Sequence, residues 1–387
     1  MTLNRIARWS IFVWLELIVM VFLPFLSLPA EAAPLFNQIN LVTNDQTANT
    51  AQITDSHLVN AWGISFSATS PFWISDNGSG LATLYNVDPA TNATTKLGLE
   101  VTIPGDGSVT GQAFNIGGGG AFNGDPFLFV SEDGTISGWR GTLGTTAETL
   151  QIGSPDNVYK GTTAATVLGH TYLYAANFHT GQIDVLKGDA GAPDLAGKFT
   201  DPNLPSGYAP FNIQLLGDKL YVTYALQASG TDEQVGPGLG LVSVFDTQGN
   251  FLRRVGSNGT LNAPWGLAIA PSSFGSFAGD LLVGNFGDGR INVFDLSNDS
   301  FVGQLLGLNS IELTIDGLWG LTVGNGGNGG SSNNLYFSAG PDGEMNGLFG
   351  VIQNPEASTV PEPSTMLLLG SGLIGLAGYG RKKFFRK

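Results

Sequence analysis

The stretch Asp316-Gly317-Leu318-Trp319-Gly320-Leu321 recurs along the chain in related forms, and this recurrence decides the fold. Close copies begin at Asn60 and Asn262. Weaker copies are Gln112-Ala113-Phe114-Asn115 and Ala209-Pro210-Phe211-Asn212, and a degenerate copy lies near Lys160-Gly161-Thr162. Successive copies are 47 to 54 residues apart. This period is typical of the blades of a β-propeller.

Each copy is followed by two more apolar segments of strand composition. The first segments cover residues 72–75, 127–131, 172–176, 220–223, 281–284 and 335–338. The second segments cover residues 81–85, 135–139, 182–186, 241–245, 290–294 and 348–352. The turns between them are rich in Gly, Asn and Asp, as tight hairpins require, and no amphipathic helix is evident. The pattern predicts an all-β, six-bladed β-propeller.

The two ends of the repeat region predict how the ring closes. The sixth repeat contains three strands and then runs into a Pro-rich segment without a fourth. Residues 37–43, which precede the first repeat, have the composition of the missing strand. Pairing these ends would cover two open sheet edges.

Composition excludes several classes of protein. The chain has 387 residues, 42% of them hydrophobic and 12% charged, and it has no Cys. Disulfides and Cys-ligated metals are therefore excluded. Its 31 acidic residues outnumber 16 basic ones, which argues against a nucleic-acid partner, since duplex binding needs a cationic surface.

The N-terminal segment has the composition of a secretory signal peptide. Arg5 and Arg8 precede an apolar run over residues 11–28 and the small-residue exit Ala30-Glu31-Ala32. We expect a signal peptide over residues 1–32, with cleavage between Ala32 and Ala33. A permanent membrane helix is the alternative, which Pro24 and Pro29 disfavour.

The C-terminal segment combines Val360, Pro361, Glu362 and Pro363 with an apolar stretch over residues 366–379 and five cations between residues 381 and 387. The prolines stop preceding structure, the apolar stretch suits a short membrane helix, and the cations stay on the cytoplasmic side. This segment resembles the PEP-CTERM sorting tails of exported proteins of Gram-negative bacteria. The resemblance implies transient anchoring in the inner membrane, cleavage by an exosortase-type enzyme, and release to the cell surface or extracellular matrix. A plain C-terminal anchor is the alternative.

The expected organisation is therefore a signal peptide (1–32), a propeller (33–353), a linker (354–359) and a sorting segment (360–387). Within the propeller, several phrases resemble an uncharacterised family of exported bacterial six-bladed propellers. These phrases cover residues 73–78, 175–181, 208–212, 282–289 and 316–321. The resemblance implies a fold and a destination but no activity. The calcium-dependent lactonases of the gluconolactonase type and the NHL-repeat propellers are similar at the level of architecture only.

Polar side chains at the ends of the second strands are candidate metal ligands. Aligning these strands places six residues at equivalent positions, namely Asp76, Glu132, Asn177, Tyr224, Asn285 and Ala339. Because these strand ends open on one face of a propeller, Asp76, Glu132, Asn177 and Asn285 could converge on a Ca²⁺ ion. The alternative is that such residues cap their own turns.

Aromatic and titratable residues of the same face are candidate ligand-binding or catalytic groups. Trp62, Trp265, Trp319 and Tyr224 could contact a polysaccharide, or they could form the core. His179 and Asp288 are candidate general bases, although a histidine of a turn is the simpler interpretation. A three-His zinc centre is rejected from the positions of the three histidines. The first functional hypothesis is a surface module without catalysis that binds a polysaccharide or a protein. The second is a Ca²⁺-dependent, lactonase-like hydrolase.

Overall fold

The computed structural model describes residues 33–228 and 231–356, and within them the fold is a six-bladed β-propeller. We number the blades along the chain. The strands of blades 1 and 2 are Ala61–Ser65, Phe72–Asp76, Leu81–Val87, Thr94–Thr102, and Val109–Phe114, Phe127–Ser131, Ile136–Trp139, Glu148–Gln151. Those of blades 3 and 4 are Tyr159–Val167, His170–Asn177, Gln182–Lys187, and Tyr208–Leu216, Lys219–Gln227, Gly240–Asp246, Phe251–Ser257. Those of blades 5 and 6 are Pro264–Ile269, Leu281–Asn285, Ile291–Asp295, Ser300–Gln304, and Leu318–Val323, Leu335–Ala339, Leu348–Gln353, Leu35–Thr43.

Within each blade, consecutive strands pair in antiparallel hairpins. The prediction of six sheets of this type is confirmed. Short additional strands are Ile53–Thr54, Glu233–Gln234 and Leu306–Gly307. The described residues contain only short 3₁₀ turns as helices, at Ala121–Gly124, Gly141–Leu143 and Ser272–Phe277, and none of these could cross a membrane. The predicted signal peptide and the predicted C-terminal membrane helix lie outside the described residues.

The first strands of the blades line a central channel and succeed one another around it. Each lies beside the first strand of the next blade, and that of blade 6 lies beside that of blade 1. The approach is close: a Cβ at Gly63 would lie 2.7 Å from the carbonyl oxygen of Thr110, and one at Gly320 would lie 2.7 Å from that of Trp62. Glycine after the aromatic residue of the repeat therefore allows neighbouring blades to pack against each other.

Ring closure follows the prediction. The strand Leu35–Thr43 pairs in antiparallel register with the third strand of blade 6, from Asn37 opposite Gln353 to Thr43 opposite Leu348. The first strand of the chain thus forms the outer strand of the last blade. Both otherwise open edges are covered, and folding of the last blade requires both ends of the repeat region.

Apolar side chains fill the spaces between the blades rather than a single central core. One such cluster, between blades 6 and 1, contains Leu41, Phe72, Tyr85, Tyr336 and Phe349, which are all fully buried. Blade 3 differs from the other blades because it has only three strands among the described residues. The segment that follows it contains Pro193, Pro202 and Pro205, which cannot donate backbone hydrogen bonds to a ladder.

Candidate functional site

We call the upper face the one that carries the turns between the second and third strands and the loops that enter the first strands. At this end of the channel, the pairing of each first strand has a β-bulge at the same place in the repeat. The residues at the bulged position are Trp62, Thr110, Lys160, Phe211, Trp265 and Trp319. A bulge redirects the side chain of the extra residue, and bulges are common next to functional sites.

Three tryptophans close the channel below the upper face. Trp62 stacks on Trp319 with ring centroids 3.5 Å apart, and Trp265 meets both rings edge-on at about 6 Å. Phe286 stacks on Trp319 at 4.0 Å. The exposed fractions of Trp62, Trp265 and Trp319 are 2%, 4% and 0%. The tryptophans predicted as ligand contacts are therefore buried against one another, as the alternative of core packing expects.

Lys160 occupies in blade 3 the position that an aromatic residue holds in four of the other blades. Its side chain is only 4% exposed. Its Nζ atom lies 5.4 Å from the centroid of the Trp62 ring and 6.0 Å from that of Phe178. A cation over aromatic faces is attracted by their negative charge density.

The acidic cluster consists of Lys160 and four carboxylates of the upper face, Glu132, Asp232, Glu233 and Glu344. Lys160 donates a hydrogen bond of 2.5 Å to Glu132. The other three carboxylates act on Lys160 or on one another electrostatically. Glu132 and Glu344 lie in the turns of blades 2 and 6, and the other two carboxylates lie in the insertion of blade 4 around Glu233–Gln234.

Two asparagines of blade 1 connect this cluster to the aromatic residues below it. Asn60 donates to Glu344 at 2.7 Å and accepts from the indole N–H of Trp319 at 3.1 Å. Asn60 also donates to Asn77, which donates to Glu132 at 3.2 Å. The cluster is therefore held in place by the buried Asn60 and the half-buried Asn77.

Burial and neighbouring charges raise the pKa of three groups of the cluster, Lys160, Glu233 and Glu344. Burial opposes the charge of Lys160, but attraction to Glu132 and Glu233 outweighs burial and raises its pKa. Lys160 is therefore a permanent cation and not a nucleophilic amine. Burial raises the pKa of Glu233, and burial together with repulsion from Glu132 raises that of Glu344. One internal cation thus faces four acidic groups, and the cluster favours an additional cation.

The four residues predicted as a Ca²⁺ site are engaged separately. Asn177 accepts from the backbone N–H of Val158, and Asn285 accepts from that of Asn262. Each asparagine therefore holds the loop that enters the first strand of its own blade. Glu132 pairs with Lys160, whereas Asp76 is fully buried and accepts from Thr83 at 2.7 Å. No hydrogen bond joins any two of the four within residues 33–228 and 231–356.

The alignment of blade 2 in the sequence differs from that in the structure. Ser131 and not Glu132 pairs with the first strand where Asp76 pairs in blade 1. Thr110 and not Phe114 holds the position of Trp62. Glu132 consequently follows the strand by one residue and points its carboxylate toward Lys160.

The remaining candidates have ordinary structural surroundings. Tyr224 is 2% exposed and packs in the cluster between blades 3 and 4. Asp288 accepts hydrogen bonds from Asn285 and Asn262. His179 lies exposed in the turn of blade 3, and its carbonyl oxygen accepts from Gln227.

Below the tryptophans, the channel widens into a cavity of about 220 Å³ that opens toward the lower face. Polar groups of its wall are already paired: Gln112 donates to the carbonyl oxygens of Gly63 and Trp73, and Ser65 donates to Gln112. The acidic cluster of the upper face is therefore a better candidate site than this cavity.

The fold and this face define a class of protein. It is a six-bladed propeller whose channel is closed by tryptophans and whose upper face is acidic, and a sorting signal follows the propeller in the chain. The C-terminal residues 359–382 match the PEP-CTERM protein-sorting motif. That match covers Val360, Pro361, Glu362 and Pro363, which lie outside the described residues.

The chain belongs to the same family as two proteins of Acanthamoeba polyphaga mimivirus, "Uncharacterized protein R648" and "Uncharacterized protein L690". It is 31% identical to R648, over 81% of this chain and 80% of R648. It is 32% identical to L690, over 76% of this chain and 80% of L690. Among solved structures, a streptogramin B lyase is similar with a TM-score of 0.47 and 12% identity, over 82% of this chain and 97% of that one.

Proposed function

We propose that the protein is exported through the PEP-CTERM route, is released at the cell surface by an exosortase-type enzyme, and there binds an amine-bearing polysaccharide on its upper face. The matched sorting motif supports export. The acidic cluster is the observation that carries the binding proposal. Because the tryptophans close the channel, the carboxylates at its mouth suit the binding of a ligand and not its transport through the channel.

Charge explains why the ligand should be cationic. Lys160 compensates one carboxylate directly through its pair with Glu132. Glu233 and Glu344 are half-buried, so a ligand can reach them, and their raised pKa values show that ionisation there is costly. An ammonium group placed beside them would relieve this cost.

Spacing favours an organic cation over a bare metal ion. A metal needs its ligand atoms within a few ångströms of each other. Among the residues that the structure describes, the one group of titratable side chains that meets this requirement lies elsewhere, in blade 1. A sugar carrying ammonium groups could instead address separate carboxylates, while Asn77 and its neighbours offer partners for hydroxyl groups.

The proposal is tested by calorimetric titration of the purified full chain with two chitooligosaccharides of equal length. One is de-N-acetylated and carries ammonium groups, and the other is fully acetylated and neutral. We expect binding of the cationic form only, weakening with salt because the interaction is electrostatic. Glu233→Gln and Glu344→Gln should each weaken it by about tenfold.

Glu312→Gln provides the matched control, since Glu312 is exposed and is not part of the acidic cluster. Equal affinity for both oligosaccharides, or binding unaffected by the two cluster substitutions, would contradict the proposal. Metal-dependent hydrolysis of a lactone panel by the same preparation would favour the hydrolase hypothesis.

A further inference from the structure

Blade 1 brings one histidine nitrogen and two carboxylate oxygens together away from the acidic cluster. The ligand atoms of Asp55, His57 and Glu100 all lie within 4.8 Å of one another. Asp55 and His57 precede the first strand of the blade, and Glu100 belongs to its fourth strand. A mixed nitrogen and oxygen donor set suits first-row divalent ions such as Zn²⁺ better than Ca²⁺.

A cation already bridges the two carboxylates of this group. The Nζ atom of Lys96 lies 2.6 Å from Asp55 Oδ1 and 2.6 Å from Glu100 Oε1. His57 Nδ1 lies 2.8 Å from the same oxygen of Glu100. The Lys96 side chain is 30% exposed, and its long aliphatic stem allows the ammonium to move out to solvent. Lys96 thus marks a place where positive charge is stabilised and from which it can be displaced.

A buried oxygen beside this group is without a partner. Asp76 has no exposed surface, and while its Oδ2 accepts from Thr83, its Oδ1 has no hydrogen-bond partner. Thr83 is paired directly across the strands with Glu100. Asp55, Lys96 and Glu100 all act electrostatically on Asp76. A buried unsatisfied carboxylate oxygen is costly, and a nearby metal ion or its bound water would compensate it.

The ligands would also connect segments that the ring closure brings together. Asp55 accepts a hydrogen bond of 2.6 Å from the buried Tyr85, and its backbone N–H donates to the carbonyl oxygen of Thr43, the last residue of the closing strand. A metal held by Asp55, His57 and Glu100 would therefore tie the segment after the closing strand to the outer strand of blade 1.

We propose that Asp55, His57 and Glu100 form a divalent-metal site that binds Zn²⁺, and that Lys96 fills this site when no metal is bound. Three protein ligands leave a fourth position for water, as in open zinc sites. The site shares no residue with the acidic cluster and does not depend on the proposed function.

The test is calorimetric titration of the purified full chain with Zn²⁺. We expect one site per chain, and we expect Lys96→Met to tighten binding at least about tenfold because the competing ammonium is gone. Asp55→Asn and His57→Ala should each reduce binding at least about tenfold. His170→Ala is the matched control, since His170 also pairs with a carboxylate, Asp189, but outside this site; it should leave the affinity unchanged.

Thermal unfolding gives a second readout. Lys96→Met should lower the unfolding temperature without metal, because the buried Asp55 loses its counter-ion, and Zn²⁺ should restore it. Should Lys96→Met fail to fold, the comparison of the parent chain with His57→Ala still decides, since His57 is exposed. Absence of Zn²⁺ binding by a folded parent chain and folded Lys96→Met variant would overturn the proposal. So would binding that Asp55→Asn and His57→Ala leave intact.

Discussion

Lys160 is a charged residue that the fold buries at the mouth of the channel. The cost of removing an ammonium group from water is offset by the carboxylate of Glu132 and by the faces of Trp62 and Phe178. The same ammonium limits the repulsion among the other carboxylates, since it lowers the pKa of Glu233 and Glu344 against the effect of burial. Lys160 is therefore important for both the stability and the charge of the upper face.

We expect Lys160→Met to destabilise the fold by about 2 to 4 kcal/mol at neutral pH, because it leaves Glu132 uncompensated beside buried groups. The pKa values of Glu233 and Glu344 are raised in the folded state. At pH values above the ordinary pKa of glutamate, the folded state therefore binds more protons than the unfolded state. Stability from these groups therefore falls as the pH rises. Without Lys160 this fall should steepen, and the destabilisation should be smaller at pH 5 than at pH 7.

Urea unfolding of both forms at the two pH values measures this effect. Lys198→Met is the control, since Lys198 is exposed and should show neither the loss nor its pH dependence. A loss of stability that is the same at pH 5 and pH 7 would show that packing and not charge explains it.

The sequence-based candidates and the acidic cluster share only Glu132. The upper face was expected to carry the polar residues, and Glu132 was among them. The sequence signal for Lys160 was a lysine in place of the aromatic residue of the repeat. Glu233 lies on an insertion that no other blade has, so repeat alignment could not align it with the other blades. Long-range pairs such as Asn60 with Glu344 depend on ring closure.

At the scale of strands, the apolar segments between Gly-rich turns gave the second and third strands to within a few residues in all blades. The register of blade 2 needed the structure. Blade 2 carries Thr110-Gly111 where blades 1, 5 and 6 have Trp-Gly, so its alignment slipped. The strand Leu35–Thr43 was correctly assigned to the last blade because each edge lacked a partner.

This closing strand should determine the stability of the ring. Leu41 and Val42 are fully buried, and the strand covers the edge of the third strand of blade 6. Deleting residues 36–44 would expose this edge and the apolar residues between blades 6 and 1. We expect the cooperative thermal transition of the parent chain to be lost or lowered strongly, and not merely a local change at one end.

Circular dichroism with temperature measures this transition. A chain that ends at Glu356 keeps all the described strands and is the control, so its transition should match that of the parent chain. If the deletion of residues 36–44 left the transition unchanged, the closing strand would be dispensable for the ring.

For the whole molecule, the positions where the described body begins and ends have a consequence for its orientation. Asn354 donates to the carbonyl oxygen of Ser273 at 2.9 Å, and Pro34 lies beside Gly275. Both contacts are made by the turn Ser272–Phe277 between the first and second strands of blade 5, on the lower face. The described chain therefore ends at Glu356 on the side opposite the acidic cluster.

If the sorting segment inserts in the membrane, as the resemblance to PEP-CTERM tails implies, the lower face should lie toward the lipid. From Glu356 to Pro361 the chain can span at most about 18 Å, which limits how far the body can turn away. The acidic cluster would then be directed outward before release, where it can meet its ligand and avoid anionic headgroups.

Since the chain has no Cys, single fluorescent labels can be placed at Leu168→Cys in a lower turn and Met345→Cys in an upper turn, both at positions that are more than 70% exposed. In vesicles carrying the full chain and an acceptor on the lipid headgroups, we expect stronger energy transfer from position 168 than from position 345, because the lower turn lies nearer the acceptor. The same labels on a chain ending at Glu356 should show no transfer, and equal or reversed efficiencies in the full chain would place the body in another orientation.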